Sequence, residues 1–206
     1  PDKALADFDN ALRLDPSQDA ARLQRAWMLA DGDELAKALD ELATLDKRLP
    51  PQSDLRRQMA NLYGSLDMPA QAVAQWNLWI PAHKHDVDRD EAYNSRCWAR
   101  AEMGIELDQA LEDCDEAVDA DSRNASFLDS RGWVYLRQGK LKKAMADFDR
   151  ALSVKPGQAS SLYGRGLVHQ RQSETAAAQA DLAAARKALP DIDAKIAHSG
   201  LPAVTP

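Results

Sequence analysis

Apolar side chains recur at spacings of three and four residues along most of the chain, which is the period of a helix with one buried face. The clearest segment places apolar residues at Leu141, Ala144, Met145, Phe148, Ala151 and Leu152. Gly139 precedes this segment and Pro156 follows it, as expected for a turn and for a helix end. Runs that alternate apolar and polar residues, the mark of a strand, are absent from the sequence. The pattern therefore predicts an all-α protein.

The same pattern returns every 34 residues, which is typical of a repeat protein. Residues 125–158 and 159–192 align without a gap, and the matching positions are Gly132 and Gly166, Ala144 and Ala178, Ala151 and Ala185, and Pro156 and Pro190. Earlier segments keep the register less strictly and form repeats at 19–52, 53–89 and 90–124. Residues 1–18 match the second half of a unit, so we expect an open half repeat there.

A small residue in the first helix, Ala-x3-Phe followed by Ala in the second, and a closing proline resemble the tetratricopeptide repeat in its bacterial form. The resemblance covers residues 1–192 and implies a right-handed superhelix, an α-solenoid of stacked antiparallel helix pairs. It implies a single domain over 1–192 with about five and a half repeats. A short C-terminal capping helix and a flexible tail are expected over 193–206.

One column of the first helices carries arginine, and one column of the second helices carries an acid. The pairs within each unit are Arg25 with Glu41, Arg96 with Asp113, Arg131 with Asp147, and Arg165 with Asp181. In the remaining unit Met59 replaces the arginine and neutral Gln75 replaces the acid. This matched change favours structural ion pairs within units over an arginine row for anionic ligands, because long charged side chains are usually paired or solvated.

In the resembled family, first helices line a concave groove whose exposed positions hold peptides, and this implies a set of candidate contacts. The central column holds Trp27, Asn61, Trp98, Trp133 and Leu167, and the neighbouring turns add Leu23, Arg57, Asn94, Asp129, Tyr163, Arg137 and Arg171. Tryptophan at three of these positions suits a peptide with apolar anchors and mixed charge, and it equally suits packing between adjacent first helices.

Some members of that family bind the acidic tails of heat-shock chaperones through a clamp of cations and asparagines. Arg57, Asn61 and Asn94 resemble the opening of this clamp. Asp129 and Trp133 stand where the clamp needs positive charge, and an acid facing a carboxylate is unfavourable. We therefore do not expect chaperone-tail binding.

The only two cysteines, Cys97 and Cys114, occupy core columns of one repeat. Cys97 replaces a small residue and Cys114 a large one, as expected for side chains that share one space between antiparallel helices. Core columns do not suit a catalytic thiol, and two cysteines do not complete a zinc shell. A disulfide, which would imply a periplasmic or secreted protein, and two reduced thiols, which would imply the cytoplasm, both remain open.

Composition and motifs narrow the functional classes. With 26 basic and 33 acidic residues the formal net charge is −7, which disfavours nucleic acid and anionic membranes as partners. No apolar run approaches the roughly 20 residues of a transmembrane helix, so membrane insertion is not expected. Phosphate loops, nucleophile elbows and zinc-protease motifs are absent from the sequence, so we expect neither enzyme activity nor a cofactor.

The one polar cluster, residues 83–90, reads HKHDVDRD. His83 and His85 are weak metal-ligand candidates, because a zinc site normally draws its ligands from more than one segment. The favoured interpretation is a polar linker whose Asp88 or Asp90 caps the next helix.

We therefore expect a non-catalytic scaffold that binds another protein, as a peptide or a partner helix, in the groove. The alternative is an accessory arm of a larger enzyme whose catalytic domain lies upstream. A weaker alternative is self-association through the half repeat, whose apolar face at Leu5, Phe8 and Leu12 would pair with a neighbouring chain.

Overall fold

The computed structural model describes residues 2–32, 34–84, 86 and 88–203, and this part of the chain forms twelve α-helices and no β-strand. In chain order they are α1 (Asp2–Leu14), α2 (Asp19–Asp31), α3 (Leu35–Arg48), α4 (Asp54–Ser65), α5 (Pro69–Ala82), α6 (Arg89–Met103), α7 (Leu107–Ala120), α8 (Ala125–Arg137), α9 (Leu141–Val154), α10 (Ala159–Arg171), α11 (Thr175–Ala188) and α12 (Ile192–His198). Each repeat contributes one antiparallel pair, from α2 with α3 to α10 with α11. None of the described helices is long and apolar enough to span a bilayer.

Side-chain caps define the beginning of two first helices. At α4, the Ser53 hydroxyl accepts a hydrogen bond from the Leu55 N–H at 3.3 Å. At α8, Asn124 Oδ1 accepts from the N–H groups of Ser126 and Phe127 at 3.0 and 3.3 Å. The first N–H groups of a helix have no partner within it, so these oxygens stabilise the helix start.

The turn between the two helices of a unit requires a residue in the left-handed region. Gly104 and Gly139 occupy this position with φ of 67° and 70°. Asp67 and Ser173 occupy the same column with φ of 55° and 63°. Glycine adopts this region without a steric penalty, whereas a side chain with a Cβ is strained there. The requirement that the sequence indicated at Gly139 therefore extends to three other units.

The helices form two compact units, Pro1–Lys84 and His85–Pro206. In the first unit, α2 and α3 bury Leu23 and Leu42 completely, and α4 buries Met59 completely. Trp76 and Trp79 of α5 are 3 % and 1 % exposed, and their rings meet edge to face. The two tryptophans therefore give α5 the large apolar face that its neighbours build from aliphatic residues.

The N-terminal helix α1 packs on α2. Leu12 is buried, and Leu5 and Phe8 are half-buried. The apolar face that we expected to be open on the half repeat is thus partly closed by α2, which leaves less apolar surface for pairing with another chain.

In the second unit, helices α6 to α12 share one apolar cluster. The cluster includes Phe148, whose ring fills the space beside two glycines. A Cβ added at Gly132 would lie 2.7 Å from this ring, and one added at Gly164 would lie closer still. Trp133 meets the same ring edge to face at 5.8 Å. Small residues on α8 and α10 thus let both first helices approach α9.

Candidate binding surface

The candidate contacts lie on the first helix of each repeat. Within each of the two compact units, we call the surface formed by these first helices the first-helix face of that unit. In the first unit, α2 and α4 form this face. Leu23 is fully buried, Trp27 and Arg57 are half-buried, and Asn61 is exposed. The Arg57 guanidinium lies 5.7 Å from the ring centroid of Trp79, within the range of a cation–π contact. Trp27, Arg57 and Asn61 therefore keep surface that a partner could contact.

In the second unit, α6, α8 and α10 form the first-helix face. The candidates that keep accessible surface are Asn94, Trp98, Arg137 and Arg171. The candidates that are buried are Asp129, Trp133, Tyr163 and Leu167. Trp133 has no exposed surface, so it packs between helices instead of lining a groove. Trp98 is half-buried and contacts the apolar cluster, so it combines both roles.

A hydrogen-bond chain joins Asp129 and Trp133 of α8 to the first turn of α10. Trp133 Nε1 donates to Ser160 Oγ at 2.8 Å, and the Ser160 hydroxyl donates to Asp129 Oδ2 at 2.7 Å. The Ser161 hydroxyl donates to Asp129 Oδ1 at 2.6 Å. Burial raises the pKa of Asp129 to about 6, although the serine hydroxyls act in the opposite direction. Both carboxylate oxygens are used between two units of the repeat, so Asp129 has a structural role.

Three further candidates on this face form hydrogen bonds within the chain itself. The Tyr163 hydroxyl donates to Asp193 Oδ1 of α12 at 3.2 Å. Arg137 Nη2 donates to the Glu102 carbonyl at the end of α6 at 2.9 Å. Arg171 Nη1 donates to a carbonyl of α8 at 2.8 Å. Three candidate positions therefore already carry hydrogen bonds that hold neighbouring helices together.

The arginines and acids that the sequence paired within units lie in contact. Their closest distances are 2.5 Å for Arg25 and Glu41, 2.6 Å for Arg96 and Asp113, 2.7 Å for Arg131 and Asp147, and 2.7 Å for Arg165 and Asp181. The last three arginines each donate two hydrogen bonds to both oxygens of the carboxylate. The hydrogen bond with Asp181 raises the pKa of Arg165. Such two-pronged pairs fix the angle between the helices of a unit.

Three of these arginines also reach the preceding helix, which the pairing within units did not reveal. The added contacts, each at 2.8 Å, join Arg25 to Asp9, Arg131 to Asp115, and Arg165 to Asp149. Each acid stands 16 residues before its arginine, so a search of the neighbouring columns could have found them. These acids are about half exposed, and each contact contributes about 0.2–1 kcal/mol.

Arg56 replaces the missing ion pair in the unit that carries Met59 and Gln75. Its side chain is 4 % exposed and donates to Gln75 Oε1 at 2.7 Å and to Asp46 Oδ1 at 2.8 Å. It also donates to a main-chain carbonyl between α3 and α4 at 3.0 Å. Arg22 stands 34 residues earlier, so the column was visible in the sequence although its role was not.

Cys97 of α6 and Cys114 of α7 form a disulfide with their Cα atoms 5.5 Å apart. Neither residue has exposed surface. The bond joins the two helices of one unit across a sequence separation of 17 residues. In this state neither sulfur can act as a nucleophile or a metal ligand.

His83 follows α5 and stacks on Trp79, with ring centroids 4.1 Å apart. Its Nδ1 donates to the Trp79 carbonyl at 2.8 Å, and its Nε2 lies 3.4 Å from Asp54 Oδ1. These contacts give His83 a structural role in the first unit, and His85 lies outside the described residues. Of the two capping candidates, Asp88 precedes α6 and its side chain makes no capping hydrogen bond to that helix, whereas Asp90 Oδ1 accepts from the Glu91 N–H in the first turn at 2.9 Å.

Comparison with protein families supports the interpretation of the repeats. A model described as "TPR repeat" matches residues 132–173, and a model described as "Tetratricopeptide repeat" matches residues 1–53. No curated protein matches the sequence.

Solved structures with the same fold are numerous and distant in sequence. A tetratricopeptide repeat protein from Parabacteroides merdae has a TM-score of 0.71 at 16 % identity, covering 96 % of this chain and 73 % of its own. PilW, described as a widely conserved type IV pilus biogenesis factor, has a TM-score of 0.71 at 19 % identity, with coverage of 90 % and 84 %. YrrB, described as a TPR protein with an unusual peptide-binding site, has a TM-score of 0.63 at 17 % identity, with coverage of 89 % and 93 %. At these identities the similarity shows the fold.

Proposed function

Because the chain is a tetratricopeptide-repeat protein, we propose that it is a non-catalytic scaffold that binds another protein, as a peptide or a partner helix, on its first-helix faces. Proteins of this fold act generally as interaction scaffolds, and one structural neighbour is described as having a peptide-binding site. The finer assignment of the faces rests on the side chains of this chain.

The observation that carries the proposal is the partial exposure of two tryptophans in one repeat column. Trp27 on α2 and Trp98 on α6 are both half-buried, whereas Trp133 in the same column is fully buried. An indole that is fixed by packing on one side and open on the other offers rigid apolar surface at little entropic cost. Such side chains are typical anchors of protein interfaces.

Two polar side chains of α4 suit main-chain recognition. Asn61 lies on α4 in the same column as Trp27 and is exposed, and its amide can both donate to and accept from a peptide backbone. Arg57 lies one turn earlier and offers positive charge beside the indole of Trp79. The expected partner segment therefore combines an apolar anchor with an accessible main chain.

Partner capture by variants of the full chain tests the proposal. Trp27→Ala combined with Trp98→Ala should lose the proteins that the native chain retains, because both apolar anchors are removed. Leu78→Ala, at a 37 % exposed leucine of α5 on a second helix, is the matched control and should retain them. Equal partner capture by the native chain, the double tryptophan variant and Leu78→Ala, with unchanged far-ultraviolet circular dichroism, would exclude the first-helix faces as the binding surface.

We also propose that the protein works in an oxidising compartment, such as the periplasm or the cell exterior. The disulfide between Cys97 and Cys114 supports this, because structural disulfides persist where thiols are not kept reduced. Mass spectrometry after alkylation without reductant, on protein taken from its native cell, should show no modified cysteine. Two modified cysteines would place the protein in a reducing compartment.

A further inference from the structure

The segment after α12 turns back across the first-helix face of the second unit. Helix α12 ends at His198, and Gly200 follows with a φ of 69°. Arg137 Nη2, which donates to the Glu102 carbonyl of α6 at 2.9 Å, also donates to the Gly200 carbonyl. The main chain at Gly200 is thus held by a side chain of α8 that lies 63 residues away in sequence.

The next residue, Leu201, inserts into the apolar cluster of this unit. Only 4 % of Leu201 is exposed. The same cluster includes Ala101 of α6, Leu136 of α8 and Leu167 of α10, so all three first helices contribute to it. A leucine buried to this extent contributes about 1.5–3 kcal/mol, which is enough to hold a short segment in place.

Gly200 is needed for this arrangement. A Cβ at this position would lie 3.0 Å from the Glu102 carbonyl oxygen, and the positive φ is strained for any residue with a side chain. The site therefore selects a glycine, whose carbonyl accepts from Arg137, followed by an aliphatic side chain of leucine size.

Helix α12 is attached separately from this segment. Arg186 of α11 donates to both oxygens of Asp193 at 2.7 and 2.9 Å, and Tyr163 of α10 donates to the same carboxylate. Release of residues 199–203 therefore leaves α12 on α10 and α11.

We propose that the Leu201 site is a peptide-binding pocket that the chain's own C-terminal segment occupies. The partner is a protein segment in which a glycine, able to adopt the left-handed backbone of Gly200, precedes a leucine-sized aliphatic residue. It takes the place of Gly200 and Leu201, so its binding is coupled to release of the tail. This inference rests on the proposed scaffold function and adds to it one specific site, the place on the first-helix face that the tail occupies. A pocket that the tail occupies cannot bind the partner, so the apparent affinity for the partner is the intrinsic affinity multiplied by the fraction of molecules whose pocket is open.

The probe is a fluorescent peptide with the sequence of residues 197–203, AHSGLPA. Leu201→Asp in the full chain should release the tail, because a carboxylate is disfavoured in an apolar pocket. By fluorescence anisotropy, the peptide should bind this variant at least about tenfold more tightly than it binds the native chain. Val154→Asp adds the same charge at a 46 % exposed position of α9 and should behave like the native chain.

Gly200→Val is a second way to release the tail, and it carries the test if Leu201→Asp loses helical circular dichroism. Arg137→Ala in the released background should weaken peptide binding about tenfold, since a charged hydrogen bond to the peptide carbonyl is lost. A peptide with aspartate in place of its leucine should not bind.

Equal affinity of the peptide for the native chain and both released variants would overturn the pocket, and so would binding that does not depend on Arg137. This outcome differs from failure of the scaffold proposal, which is read from the tryptophan variants in partner capture. Trp27 belongs to the first unit, and the peptide assay does not involve it.

Discussion

Replacing Asp129 with asparagine should change how the stability of the protein depends on pH. Burial raises the pKa of this carboxyl from 3.8 to about 6 in the folded protein. The folded state therefore binds the proton more tightly than the unfolded state does. The Asp129 contribution to the free energy of unfolding falls as pH rises from about 4 to about 6, and it is constant above that range.

The size of the effect follows from the two pKa values. For a shift of this extent, native stability relative to the variant should fall by about 2 kcal/mol between about pH 4.5 and about pH 7.5. Asparagine also alters the hydrogen bonds to Ser160 and Ser161, but that difference is nearly independent of pH. Urea unfolding of both proteins at several pH values isolates the titration, because all other carboxyl groups are common to both.

The same substitution at exposed Asp119 on α7 controls for the change in net charge. The difference in free energy of unfolding between Asp119→Asn and the native chain gives the baseline for the Asp129 measurements. If the free energy of unfolding of the native chain minus that of Asp129→Asn stays constant across this pH range, or rises with pH, then burial does not raise the pKa of Asp129 and the reasoning is wrong.

Three further predictions concern packing and backbone geometry. Reduction of the Cys97–Cys114 disulfide should lower the free energy of unfolding by about 3 kcal/mol for a loop of this length, and an unchanged urea midpoint with reductant would contradict this. Gly164→Ala should lower the free energy of unfolding by about 1–3 kcal/mol, because the new methyl group overlaps the Phe148 ring. Adding Phe148→Leu to this variant should recover part of that loss, and strictly additive losses would argue against the contact. Ser173→Gly should raise stability by about 1 kcal/mol through relief of its left-handed backbone, and a lower thermal midpoint would contradict this.

The sequence predicted much of the fold because equivalent residues make the same contact in several repeats. The 34-residue register located the helix pairs, and the matched replacement of arginine and acid by Met59 and Gln75 pointed to the pairs within units. The same comparison did not reveal Arg56, because only the first two complete repeats place arginine in its column. Its partners lie on two other helices and in a turn, and no periodicity reports such a mixture.

The candidate surface was less predictable, since a repeat column gives the direction of a side chain and not its exposure. Trp27, Trp98 and Trp133 share a column, yet only Trp133 is fully buried. The difference arises where Trp133 packs against Phe148 and bonds to Ser160, so it depends on which side chains the neighbouring units contribute. Exposure is therefore a property of the assembled stack.

By itself the sequence determined the helical class, the repeat and the ion pairs within repeats, from Arg25 with Glu41 to Arg165 with Asp181, because these depend on local period and on neighbouring helices. Tertiary structure alone decided that the chain divides into two units, that Asp129 is buried under two serines, and that Leu201 returns to the first-helix face of the second unit. The contacts of Asp129 and of the segment around Leu201 join residues up to about a hundred positions apart in the sequence. No repeat column encodes such contacts, because they form only once, where the packed helices leave a space that one particular segment fits.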